Sequence, residues 1–270
     1  MSDSSDELAL LEAKIRHHDA AGGPDAAWRA ADAVFDKARL IERRDGDDAA
    51  LPLYREVVRR LEDREDPGPR GLALLALDTI AVLHGRQGRE AECREALESL
   101  VGSHLDDAPL GAAEVVVDAT LELSVRLKKD GEYKQAIELL ERLIARFGAP
   151  EAPDAPLTRA RATAEIVQTL LRANRFDETL ARADRLIEMV EDSEAPDLRG
   201  LIAEAMAAKA SALSELAVRR NDSITMAKSN WLCEDIIKRF DGDEDPELIR
   251  YVEWARAELA PKRRLRLWRH

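Results

Sequence analysis

The sequence predicts an all-α fold, an α-solenoid of antiparallel helix pairs, on three observations. The first is a repeat. Around the stretch from Asp130 to Phe147, DGEYKQAIELLERLIARF, steps of 43 residues carry Ala136 onto Cys93, Ala50 and Thr179, and Leu143 onto Leu100, Val57 and Leu186. The neighbour Ile144 lands on Val101, Val58 and Ile187, and the turn residue Gly131 on Gly88, Asp45 and Asn174. The second is a proline metre: Pro24, Pro67, Pro153 and Pro196 share the frame, with Pro109 one place out of it. The third is composition. Apolar residues are 45% of the chain and aromatics only 4%, with no alternating Val/Thr/Tyr runs and no Asn-Gly turns, so strands are not expected. In such an array each unit buries its apolar face only against its neighbours.

Each element follows from local chemistry. Residues 1–5 read as disordered. From Asp6 to His18, Leu8, Leu11 and Ile15 fall at i, i+3 and i+7, one face of an amphipathic helix, which Gly22 and Gly23 end. In the 43-residue frame these three align with Leu51, Tyr54 and Val58, so the helix is a lone second helix, half a repeat.

Five pairs follow. First helices are expected near 25–44, 68–86, 110–129, 154–173 and 197–220. Each opens near a proline, whose missing N–H falls where a helix has no acceptor to offer. Second helices are expected near 47–63, 89–104, 132–147, 175–191 and 223–240. Between the two stands a residue able to take positive φ: Asp45 or Gly46, Gly88, Gly131, Asn174 and Asn221. The fifth repeat is longer, since Pro196 recurs as Pro246, 50 residues on, which places an extra turn or two around Arg219 to Met226. The expected organisation is a tail and capping half-repeat over 1–23, five repeats over 24–245, a capping helix over 246–260 and a basic tail over 261–270.

The segment Gly131-Glu132-Tyr133, with Ala136, Leu140 and Leu143 behind it, resembles the second helix of the tetratricopeptide repeat (TPR). Asn174-Arg175-Phe176 and Gly88-Arg89-Glu90 repeat the turn with decreasing fidelity. In the first helix the family's large-then-small pair falls on Leu123-Ser124, Ile80-Ala81 and Ile166-Val167. The family's unit is about 34 residues, so each unit here carries about nine more. The chain looks closest to a long-repeat bacterial branch, on phrases such as Ile144-Ala145-Arg146-Phe147-Gly148. A HEAT-type array has a compatible period but explains the glycine turn less well. What the resemblance implies is a right-handed superhelix whose concave face, lined by first helices, binds peptides or protein surfaces.

Charge narrows the partners. A net charge of −13 argues against a general nucleic-acid binder, whose phosphate contacts need a basic surface, so no DNA partner is expected. The tail PKRRLRLWRH holds five Lys and Arg and no acid, which leaves −18 on residues 1–260. Docking on the protein's own acidic surface or on a second copy is favoured for it over an anionic lipid or RNA. No run approaches the ~20 apolar residues of a membrane span, and the acidic opening lacks a signal core. A cytoplasmic protein is expected, and 32 Arg against 9 Lys fit a GC-rich bacterial genome.

No phosphate loop, zinc-helix motif, nucleophile elbow or paired-carboxylate constellation appears, so no catalytic, cofactor or metal residue is expected. Cys93 and Cys233 fall at small-residue positions of second helices and should be packed. His84 stands at a core position, and His17 and His18 are adjacent rather than i, i+4, which makes no metal pair. Trp28, Trp231 and Trp254 fall on helices and read as packing anchors.

The groove positions implied by the resemblance form four ladders. They are Asp32, Leu75, Asp118 and Arg161; Phe35, Asp78, Leu121 and Ala164; Arg39, Val82, Val125 and Gln168; and Arg43, Arg86, Lys129 and Arg172. The fourth places a cation in every repeat and fits an acidic segment or terminal carboxylate, although Lys and Arg also favour the last turn of any helix. The family's Lys/Asn clamp for chaperone tails is not matched. The expectation is a non-enzymatic scaffold or adaptor, a monomer or weak dimer. A ligand-responsive sensor or an accessory subunit of an enzyme complex is the alternative.

Overall fold

The computed structural model describes residues 2–61, 64, 66–107, 113–149, 154–191 and 196–260. Among these the chain is helical throughout, with turns and no strand, so the all-α expectation holds. In order the helices are α1 Ser2–Ala21, α2 Pro24–Asp45, α3 Asp47–Leu61, α4 Pro67–Arg86, α5 Glu90–His104 and α6 Ala113–Lys129. There follow α7 Tyr133–Phe147, α8 Ala155–Arg172, α9 Phe176–Val190, α10 Pro196–Arg220, α11 Ser223–Phe240 and α12 Pro246–Leu259. Pro109, Pro153 and the basic tail 261–270 lie outside the described residues.

Four of the turns between first and second helices are chemically identical. Gly88, Gly131, Asn174 and Asn221 take positive φ at 68°, 82°, 58° and 50°. In each, this residue's N–H bonds the carbonyl three back, and the next N–H bonds the carbonyl five back: Gly88 to Gly85 and Arg89 to His84, Asn174 to Leu171 and Arg175 to Leu170. This double bond pattern satisfies two carbonyls that a helix end otherwise leaves open. Only glycine, or asparagine at some cost, enters that backbone region readily, which is why these positions show in the sequence. The first turn uses Gly46, φ 93°, with a single bond to the Glu42 carbonyl.

The chain falls into two compact units, Met1–Arg126 with Ala145–Pro153, and Leu127–Ile144 with Asp154–His270. In the first, α1 packs on α2 through Leu11, 6% exposed. Residues 2–5, expected to be disordered, extend α1 instead. Arg60 of α3 bonds Asp19 of α1 at 2.7 Å, and Arg89, just before α5, bonds Asp48 of α3, each partner 41 residues earlier. Each bond joins a helix to the second one before it in the chain. Arg182 of α9 repeats the step onto Glu141 of α7 in the second unit. Exposed pairs like these are each worth about 0–1 kcal/mol, so they mark the register rather than hold it.

In the second unit α10 is the hub and touches α8, α9, α11 and α12. Its buried side chains are mostly alanine, with Ala203, Ala205, Ala210 and Ala212 at 0–1% exposure, and small residues let four helices approach one. The seven surplus residues divide about its turn. From Asn174 to Asn221 is 47 residues, whereas the buried stripe Thr179, Ala183, Leu186 and Val190 of α9 reappears 50 on, as Ser229, Cys233, Ile236 and Phe240 of α11. Both helices are therefore lengthened at the turn, within the expected stretch. Arg219 uses the added length to lie 4.5 Å over the Phe176 ring.

Candidate functional site

In both units the first helices carry exposed side chains. In the first unit these helices are α2, α4 and the part of α6 up to Arg126. Leu75 and Val82, seven apart on α4, are 40% and 44% exposed, and Val125 on α6 is 37% exposed. Arg39 and Asp32 of α2 and Asp118 of α6 are exposed beside them. Asp78 is half-buried, and loss of water, with the Asp118 charge second, raises its carboxyl above the ordinary range. Partial loss of water does the same to Asp32, which keeps an exposed edge, with Asp36 adding.

The second ladder needs correction. Phe35 and Leu121 are each 7% exposed and Ala164 3%, so they belong to the packing and not to the open face. Phe35 meets Tyr54 edge-on at 5.3 Å between ring centres. The stripe that joins a first helix to its partner is wider than an apolar pattern alone reveals, and these positions fall inside it. Arg43 and Arg86 of the fourth ladder are exposed at the hairpin end, but Arg86 Nη1 already bonds Glu42 Oε1 at 3.1 Å.

In the second unit Lys129 and Arg172 are exposed and Arg161 half-buried. Here α8, α10 and α12 enclose a cleft of about 240 Å³. Gln168 and Leu171 line it from α8, Ala207, Ala208 and Ser211 from α10, and Arg250, Tyr251 and Trp254 from α12. A Cβ added at Gly200 would stand 3.1 Å from Glu247 Oε2, so glycine there lets α12 lie close to α10.

Glu204 precedes Ala207, Ala208 and Ser211 on the same stripe of α10, at i, i+3, i+4 and i+7. Burial drives its carboxyl up to about 7, and Glu165 and Glu247 add to the rise. Lys128 and a hydrogen bond from Gln168 oppose it. Lys128 is itself committed to Glu165, Nζ to Oε2 at 2.5 Å. Burial, and then Glu204, also push the Tyr251 hydroxyl up to about 12.

Sequence reasoning found Gln168 but stopped one step short of the rest. Continued by 43 residues, three of the ladders land on Glu204, Ala207 and Ser211. Of the tryptophans, Trp254 is half-buried at the cleft, Trp28 lies against Gly68 but is 39% exposed, and Trp231 is 60% exposed and is no packing anchor. It falls outside the stripe of Ser229, Leu232, Cys233 and Ile236 that α11 buries. Cys93, Cys233 and His84 are buried as expected, at 2%, 2% and 3% exposure. Among the described residues no cluster of His, Cys, Asp and Glu has a metal-holding arrangement, and no helix is long and apolar enough to cross a membrane.

No protein-family model matches the sequence, and no curated protein does. Solved structures do. BtubC (BKLC) from P. vanneervenii is similar at TM-score 0.55 and 13% identity, over 86% of this chain and 92% of that one. Two structures of a putative kinesin light chain from Podospora anserina, with nearly identical TPR-like repeats, give TM-scores of 0.51 and 0.50. Their identities are 15% and 17%, over 80% and 74% of this chain and 100% and 92% of theirs.

Proposed function

We propose, for a chain whose fold is that of the tetratricopeptide-type repeat proteins, a non-enzymatic scaffold that holds a protein or peptide segment on its first-helix face. The observation that carries the reading is that the first helices α4 and α6 leave large apolar side chains, Leu75, Val82 and Val125, to solvent. In the first unit such a segment would lie on the first-helix face beside Arg39, with Arg43 and Arg86 along the hairpin edge; in the second unit the corresponding candidates are Gln168, and Lys129 and Arg172 at the hairpin edge. Stacked helix pairs are ordered before the ligand arrives, so the ligand bears most of the ordering entropy.

Substituting Val82→Asp with Val125→Asp should abolish capture of the partner, while Glu95→Lys on the second helix α5 should not. Equal capture by both would end the reading. The cation edge is a narrower proposal: Arg86→Glu with Lys129→Glu should weaken binding of an acidic segment, and unchanged binding removes it. We place the chain in the cytoplasm as a monomer or weak dimer, and its net charge of −13 argues against a DNA partner. The tail 261–270 is proposed to dock on its own or a second copy's acidic surface; a dimer that survives its deletion in low salt would exclude docking between copies.

A further inference from the structure

We propose that the groove where α3 and α5 flank α4 binds a small zwitterion, an aliphatic α-amino acid, with its carboxylate on Arg55 and its ammonium on Glu92. The inference goes beyond the scaffold reading and does not rest on it, since these walls are second helices.

The groove is a cavity of about 350 Å³, within the range of small-molecule sites. Val58 of α3, Leu77 and Ile80 of α4 and Ala96 of α5 give it an apolar bed. Val58 and Leu77 are only half-buried, so the bed is open to an aliphatic side chain. Its rims carry opposite charge. Arg55 stands on the α3 side, and Glu92, with Glu95 one turn on, stands on the α5 side. Arg59, the other cation of α3 there, is already bound to Glu56 at 2.7 Å. Among the described residues neither Arg55 nor Glu92 has an ion-pair partner, so the two walls line one cavity without closing it.

The 43-residue frame marks the place as a departure. Arg55 stands where the next three repeats carry Glu98, Glu141 and Asp184. His84 stands where the first, third and fourth repeats carry Ile41, Leu127 and Leu170, each buried. Packing alone asks for an aliphatic residue there. The histidine instead lines the cavity at 3% exposure, and Arg55 Nη2 donates to its Nε2 at 3.4 Å. Burial, and then the charges of Arg55 and Arg89, hold the ring below the ordinary histidine range, so it stays neutral. A guanidinium can only donate, so Nε2 accepts and Nδ1 carries the proton. Nδ1 is buried and has no acceptor among the described residues. A buried donor left in this way is costly, and exceptions to a chain's own pattern mark functional places. His84 thus positions Arg55, whose remaining donors match a carboxylate in fork geometry. An anion alone would meet Glu92 and Glu95, and a cation alone would meet Arg55. A molecule with both charges and an aliphatic side chain satisfies bed and rims together.

The test is titration of the full chain, methyl-labelled at Val, Leu and Ile, with leucine, read by NMR. Two control ligands lack one charge each: 4-methylpentanoate has no ammonium, and 3-methylbutylamine has no carboxylate. Leucine should move the Val58, Leu77 and Ile80 methyls and bind at least about ten-fold tighter than either control. Arg55→Gln should reduce leucine to the affinity of the amine, and Glu92→Gln to that of the carboxylate. His84→Leu, which restores the residue type of the other repeats, should weaken leucine several-fold and leave the amine unchanged. Should His84→Leu fail to fold, Arg55→Gln, at an exposed position, carries the same reading. Leucine that leaves these methyls in place, or binds no better than one of the controls, would overturn the proposal. So would leucine affinity that survives Arg55→Gln. Unchanged leucine binding in a folded His84→Leu would overturn the positioning role.

Discussion

Arg86 of α4 reaches back one repeat to Glu42 of α2 at 3.1 Å, and the same Glu42 accepts the hydroxyl of Tyr54 at 2.8 Å. One carboxylate thus ties a first helix to its own partner and to the next repeat. The two bonds differ in burial: Tyr54 is fully buried, whereas the Arg86 side chain is 59% exposed. Tyr54→Phe should destabilise by about 1–3 kcal/mol, as a buried bond to a charged acceptor does. Arg86→Ala should cost less than about 1 kcal/mol, since an exposed pair is screened. Urea midpoints of the two variants check the order, and the reverse order would show that the inter-repeat pair is the stronger tie.

The hairpins make a second prediction. Gly131 sits at φ 82° with nothing near its missing Cβ, so any loss in Gly131→Ala is backbone strain alone. It should destabilise by about 1 kcal/mol. Asn174→Gly, at φ 58°, should be neutral or mildly stabilising. A neutral Gly131→Ala in thermal unfolding would contradict the left-handed turn.

Glu204 gives the pH dependence. Its carboxyl titrates near 7 in the folded chain and near 4.5 as a free side chain, so the folded state binds the proton more tightly. Stability should therefore fall as pH rises from about 4.5 through 7 and level off above, with a full effect of the order of 3 kcal/mol. Glu204→Gln should flatten that slope and be the more stable form at pH 8, with part of the slope left to Asp78 and Asp32, which are shifted the same way. Parallel slopes for variant and parent between pH 5 and 8 would refute the assignment.

Burial separates two large residues of the second unit. Leu186 of α9 is 0% exposed, and Leu186→Ala should cost about 2–5 kcal/mol. Trp231 of α11 is 60% exposed, and Trp231→Ala should stay within about 0.5 kcal/mol. Comparable losses in denaturant titration would mean that Trp231 is covered in solution.

What the sequence made legible is what only a few residue types can do. Positive φ favours Gly, Asn and Asp, so Gly88, Gly131, Asn174 and Asn221 announced the turns, and Pro246 announced the longer repeat. The direction of a side chain within a helix face is less restricted. Phe35 and Leu121 fit either the open face or the packing stripe by pattern, and only the way neighbouring helices cross decides between them. Trp231 misled because its size suggests burial, while α11's stripe passes beside it. The state of Glu204 depends on Lys128, Glu165 and Glu247 from three other helices, a relation no single segment contains.

The most direct test of the account is site-specific photocrosslinking in the full chain. A photoreactive phenylalanine analogue at Val82 or Val125, on α4 and α6, is compared with the same analogue at Glu95 or Glu188, on the second helices α5 and α9. Partner crosslinks from the first pair alone are the predicted result. Crosslinks from Glu95 or Glu188, with none from Val82 or Val125, would contradict it.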